Sequence, residues 1–132
     1  MKKKNVLRVE GISVSYGPIQ ALEDVSIELD EGEIVSLVGA NGAGKTSLLR
    51  AILGLQKVQK GKIFFMGNDI TNMGTDKVAS SGIGLIPEGH LVFSTMTVLE
   101  NLQVGGYHHP QAVNSGLESV FESFPVLYKR RD

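Results

Sequence analysis

Eight consecutive residues constrain this chain more than anything else in it. Gly39, Ala40, Asn41, Gly42, Ala43, Gly44, Lys45 and Thr46 fit the pattern G-x-x-x-x-G-K-[ST] at every fixed position. Glycines let a backbone take positive φ and turn successive N–H groups around one anion. A helix opening near Lys45 aims its unpaired N–H groups and the positive end of its dipole at the same anion. In such a loop Lys45 places a cation between β and γ phosphates, Thr46 offers a hydroxyl to Mg²⁺, and Ser47 can contact the phosphate nearest the ribose. The flanks suit this reading. Ile34, Val35, Leu37 and Val38 run nearly unbroken before the loop, the pattern of a strand buried on both faces in a parallel sheet. Leu48, Leu49, Ile52 and Leu53 recur at helical spacing after it, and Gly54 can take a left-handed stop. The dinucleotide pattern G-x-G-x-x-G is absent from this strand–helix turn.

Elsewhere the periodicity alternates between strand and helix. Leu7 and Val9, then Ile12, Val14 and Tyr16, alternate with polar residues, and the phase changes at Gly11, where a bulge can absorb it. Gly17-Pro18 ends this strand; Val25, Ile27 and Leu29 form the next, and together they read as an antiparallel, half-exposed layer. Ile63 to Met66 predict a strand, Asp76 to Ser81 a short helix closed by Gly82, and Ile83 to Ile86 a short strand ended by Pro87. Thr97 and Glu100 stand in capping-box spacing. Val113, Leu117, Val120, Phe121 and Phe124 mark one face of a further helix that Pro125 closes.

Composition narrows the classes. With 13 basic and 14 acidic residues the formal charge is -1, which argues against a nucleic-acid surface. The basic runs Lys2 to Lys4 and Lys129 to Arg131 read as solvated ends. The chain has no cysteine, which excludes disulfides and thiolate metal sites. No apolar run approaches the ~18 residues that span a bilayer, so a cytoplasmic chain is expected, touching a membrane only through partners. His108 and His109 lack carboxylates at ligand spacing and read as loop residues; His90 is given no role.

The loop alone does not separate kinases, GTPases, helicases and transport ATPases. Further stretches, in order, make the chain resemble the nucleotide-binding subunits of ABC transporters over roughly Leu7 to Arg131. These are Val14-Ser15-Tyr16-Gly17, the loop itself, Gly61-Lys62-Ile63 with Gly67, Asp69 and Ile70, and Ile83-Gly84-Leu85-Ile86-Pro87-Glu88-Gly89. The resemblance implies an α/β phosphate-loop NTPase fold of the ABC type, incomplete here. Its expected parts are an antiparallel β layer over residues 1–31, part of the loop core over 32–95 and the start of a helical subdomain over 96–132. It implies ATP and Mg²⁺ as cofactors. An aromatic at the place of Tyr16 stacks on adenine in the family; the plainer reading is a tyrosine packed at a strand end. Glu88 stands where most members have a glutamine that touches the metal and the attacking water, and a carboxylate can also ligate Mg²⁺; the plainer reading is an exposed loop residue.

Pro87-Glu88-Gly89, Phe93, Met96-Thr97-Val98 and Glu100-Asn101-Leu102 are similar to one branch, the ATP-binding subunits of branched-chain amino acid importers. The resemblance then implies a second nucleotide-binding subunit and transmembrane permease subunits as partners, on the inner face of the cell membrane. The family's signature, its acidic strand and its switch histidine do not occur in these 132 residues. Two expectations follow: no useful ATP turnover by this chain alone, and self-association through the strand edges left unpaired. The alternative is a truncated, non-catalytic nucleotide-binding or interaction module. An ABC protein of translation or DNA repair is disfavoured, because those usually carry two cassettes or a long coiled coil.

Overall fold

Alternation in the first thirty residues becomes a long antiparallel hairpin. Strand β1, Asn5–Tyr16, pairs with β2, Ile19–Asp30, from Asn5 opposite Asp30 to Tyr16 opposite Ile19. The computed structural model describes residues 4–89 and 91–132; Lys2 and Lys3 of the basic run, and His90, lie outside the described residues. The phase change expected at Gly11 is present. The register shifts between Val9 and Ile12, Gly11 sits at φ 55, and its N–H donates to Ser26 Oγ at 2.8 Å. That extra residue lets Val9, Ile12 and Val14 all be buried. On the other side of β1 lies β3, Lys60–Phe65, followed by the short β4, Asn68–Asp69, giving the antiparallel order β2-β1-β3-β4. At Gly61 β3 passes so close to Glu10 and Gly11 that a Cβ would meet their backbone, which only glycine avoids.

Helix α1, Lys45–Ile52, belongs to the same unit, which runs to Gly84. Its Leu48, Ala51 and Ile52 recur at helical spacing and join Val9, Ile12, Val14, Leu22 and Ile63 in one core. Burying each large aliphatic side chain contributes about 1.5–3 kcal/mol. Gly54 at φ 71 ends the helix against Met73. The segment before β3 is tied down by Asn72. Its Oδ1 accepts from Val58 N–H at 2.7 Å and its Nδ2 donates to Val58 O at 3.0 Å, so one side chain pairs with both polar groups of a single residue. Helix α2, Thr75–Ser80, follows.

The second unit, Leu85–Asp132, is helical: α3, Val98–Gly105; a 3-10 turn, Pro110–Ala112; α4, Val113–Ser123; and α5, Pro125–Lys129. The Thr97–Glu100 capping box forms in full, with Glu100 N–H donating to Thr97 Oγ1 at 3.1 Å and Thr97 N–H donating to Glu100 Oε2 at 2.8 Å. Leu99 N–H, another donor without an intrahelical acceptor, donates to Arg131 O at 3.0 Å. Pro125 ends α4 as expected and also opens α5, where its missing N–H costs nothing. Phe121 meets Tyr128 edge to face at 5.3 Å.

Two apolar runs expected to be strands, the first of them in a parallel sheet, are not strands. Residues 33–40 and 83–86 form no ladder with any described residue. Ile34 and Val38 are 93% and 95% exposed, where the pattern predicts burial on both faces, and Ile86 in the second run is 96% exposed. Apolar composition favours burial, but a parallel strand exists only through neighbours that supply its hydrogen bonds. The described strands pair among themselves and offer these runs none. Only Leu37 and Ile83 reach the margin of the core.

Candidate functional site

Residues 39–44 are curled, not extended. Gly42 and Gly44 take φ 85 and 90, and Ala43 N–H donates to Ala40 O at 3.1 Å, closing a turn just before α1. Lys45 folds back over this turn and donates from Nζ to Gly39 O at 2.7 Å and Ala40 O at 2.8 Å. Two of its three donors are thereby used, and the ammonium is held within the loop. The amides are open. Among the described residues no acceptor is bonded to the N–H groups of Gly42, Gly44, Lys45, Thr46 or Ser47. No side chain caps α1, and no acidic residue stands in its first turn. Its first bond is Leu48 N–H to Gly44 O at 2.9 Å. Unpaired backbone donors, a helix N-terminus and an ammonium thus lie together within residues 39–47, a donor set of the kind that suits an anion.

The hairpin fixes where this seat stands. A Cβ on Gly44 would lie 2.6 Å from Ala21 O and 2.6 Å from Leu22 Cδ2, so the loop rests directly on β2. Ala21 is two residues from Ile19, the ladder partner of Tyr16. At about 3.3 Å of rise per residue, Tyr16 lies about 7 Å along the strand from that contact. Tyr16 is 38% exposed. Thr46 is exposed at the second residue of α1, and Ser47 is half-buried beside it. An apolar cavity of about 170 Å³, lined by Leu22, Val25, Ile27, Leu37, Val38 and Leu48, adjoins the loop at Ala43 to Lys45. The first unit therefore brings residues 39–47 together on β2, the hairpin partner of the strand that carries Tyr16. Glu88 belongs to the second unit, exposed in a bend beside Gly89 at φ 88. Sequence reasoning missed Ala21 and Leu22 as supports of the loop, since nothing local marks a contact made across more than twenty residues.

The donor set fits a nucleotide's phosphates. It also fits Mg²⁺, which keeps several waters and takes one or two protein oxygens beside the phosphates, so a single Thr46 hydroxyl suits it. Among the described residues no group of three or more His, Asp or Glu stands ready for a metal. No helix among them is long and apolar enough to cross a membrane.

Residues 22–131 match the family model described as ABC transporter. The chain belongs to the ABC transporter family. Among ABC proteins it is similar to the high-affinity branched-chain amino acid transport ATP-binding protein BraG of Pseudomonas aeruginosa. Identity is 40% over 126 residues, 95% of this chain and 54% of that protein. It is also similar to the sulfate/thiosulfate import ATP-binding protein CysA of Bacillus cereus, 33% identical over 123 residues, 93% of this chain and 34% of that protein. The crystal structure of a nucleotide-free ATP-binding cassette from an ABC transporter matches with a TM-score of 0.72 at 32% identity, covering 87% of this chain and 46% of that one. The α/β ABC fold expected from the sequence is therefore the right one. The chain spans about half the length, or less, of these relatives.

Proposed function

We propose that the chain seats Mg-ATP at Gly39–Ser47 as part of the ATP-binding subunit of an ABC transporter. The observation that supports this best is the row of uncapped amides around Lys45. In this reading the N–H groups of Gly42, Gly44, Lys45, Thr46 and Ser47 hold the β phosphate, Lys45 turns to the γ phosphate, and Tyr16 stacks on the base. Thr46 would offer its hydroxyl to the metal, which would supply positive charge against the phosphates when bound. A branched-chain amino acid is the proposed cargo of the assembled transporter, supported by the BraG similarity and by the wording of residues 83–102. The CysA match shows that the resemblance is not confined to amino acid importers. Permease subunits and a second nucleotide-binding subunit are the proposed partners, which would place the chain on the cytoplasmic face of the membrane.

Titrating the purified chain with a fluorescent ATP analogue and Mg²⁺ tests the seat. Lys45→Ala should weaken binding roughly tenfold to hundredfold, the range for a lost hydrogen bond to a charged group. An unchanged affinity would remove the basis of the proposal. The same preparation should release phosphate more slowly than about one per second, within the usual range for enzymes, because no acidic strand is present in these residues to polarise water. Turnover above that rate would refute the binding-without-hydrolysis reading and leave the seat intact. The exposed run around Ile34 and Val38 should drive self-association, which sedimentation at rising concentration would detect; a strict monomer would count against it.

A further inference from the structure

The second unit contains a hydrogen-bonded knot ahead of α3. Phe93 to Met96 form a turn closed by Met96 N–H donating to Phe93 O at 3.0 Å. The side chain of Asn101, one turn into α3, reaches back across it. Asn101 Oδ1 accepts from Phe93 N–H at 2.8 Å. Its Nδ2 donates to Phe93 O at 3.1 Å, to Met96 O at 3.3 Å and to Thr97 O at 2.8 Å. One amide thus matches the donor and acceptor of Phe93 as a neighbouring strand would, while also gathering the last carbonyls before the helix. The surrounding side chains do not explain this order. Leu91, Val92, Phe93 and Met96 are 71%, 68%, 54% and 41% exposed, so apolar burial does little to hold the segment.

We infer that Asn101 is a positioning residue that locks the Phe93–Met96 turn to the first turn of α3, so that turn and helix move as one body. The capping box alone cannot do this, because it fixes only Thr97 against Glu100. Asparagine is the side chain that suits the place. Aspartate lacks the donor, and glutamine is one methylene too long for a contact already at 2.8 Å. In the transport reading, on which this last step rests, a locked segment passes displacement on to α3 where a loose one would absorb it.

The lock can be tested without nucleotide or partner, so its failure is separate from failure of the ATP-binding proposal. Amide exchange is followed by NMR on the whole chain. In Asn101→Ala, protection of the Phe93 and Met96 N–H groups should fall about tenfold, with the N–H groups of Gln103 and Val104 in α3 unchanged. Asn101→Asp keeps the acceptor for Phe93 N–H but turns an anionic oxygen toward the Phe93, Met96 and Thr97 carbonyls. Met96 protection in that variant should be low at neutral pH. It should recover toward wild type, measured at the same pH, as the carboxyl gains its proton near or above pH ~4 and becomes a donor. Undiminished Phe93 and Met96 protection in Asn101→Ala would overturn the assignment. So would equal loss throughout α3, or an Asn101→Asp variant with the same relative protection at both pH values.

Discussion

Replacing Gly44 with alanine is the sharpest perturbation of the loop, because two separate costs fall on one methyl group. Gly44 sits at φ 90, beyond the roughly +50 to +70° that L-residues tolerate in the left-handed region. Holding a non-glycine residue there costs about 1–2 kcal/mol. The added Cβ would also stand 2.6 Å from Ala21 O and from Leu22 Cδ2. The leucine methyl can swing away, but the Ala21 carbonyl is backbone of β2, so either the loop or β2 must shift. Forced overpacking of this kind costs about 1–3 kcal/mol. The total is about 2–5 kcal/mol, a large share of the stability of a small domain. Gly42 is the internal control. It has a similar φ of 85, but a Cβ there meets nothing within 4 Å, so Gly42→Ala should lose only the backbone term of about 1–2 kcal/mol. Urea unfolding of both variants at 25 °C, with unchanged m-values, gives the comparison directly. Equal losses in the two variants would refute the claim that β2 is the bed on which the loop lies.

Asn72→Ala should destabilise the first unit by about 2–3 kcal/mol, from two half-buried bonds to Val58 and the φ of 55 that alanine must adopt. Asn72→Gly relieves only the backbone part and should fall between it and wild type by urea unfolding. Thr97→Ala should cost about 1 kcal/mol and raise amide exchange in the first turn of α3. The Thr71 hydroxyl, then the Thr71 N–H at 3.0 Å and Lys62 at 3.3 Å, hold the Asp69 carboxyl below the usual carboxylate range. Its folded pKa is depressed, so its contribution is present above the unfolded value of about 3.9 and is lost as pH falls through the folded value. Asp69→Asn should therefore flatten the acid limb of stability against pH, and an identical limb would refute the link.

Much of this molecule is legible in its sequence, for reasons that differ from place to place. The hairpin is readable because alternation along β1 and β2 is local, and even the phase slip at Gly11 carries its own mark. The curled glycine loop and the capping box are readable because a few residue types at fixed spacing meet a geometric need of the backbone itself. Ile34 to Val38 misled because strand structure is a property of pairs: their hydrophobicity states a demand for neighbours without supplying any. The grip of Asn101 on Phe93 spans eight residues and leaves no periodic trace. The rest of Gly44 on Ala21 spans the whole distance from β2 to α1, so only the folded chain displays it.

The two bonds from Lys45 to the Gly39 and Ala40 carbonyls bear on how the loop fills. The ammonium acts as an internal counterion to the curve of the loop and keeps the two carbonyl dipoles from repelling one another. In the proposed ATP-binding reading, capture of a phosphate would be an exchange of partners at that nitrogen. The arrival rate should accordingly follow diffusion and ionic strength, with little of the delay that loop ordering would impose.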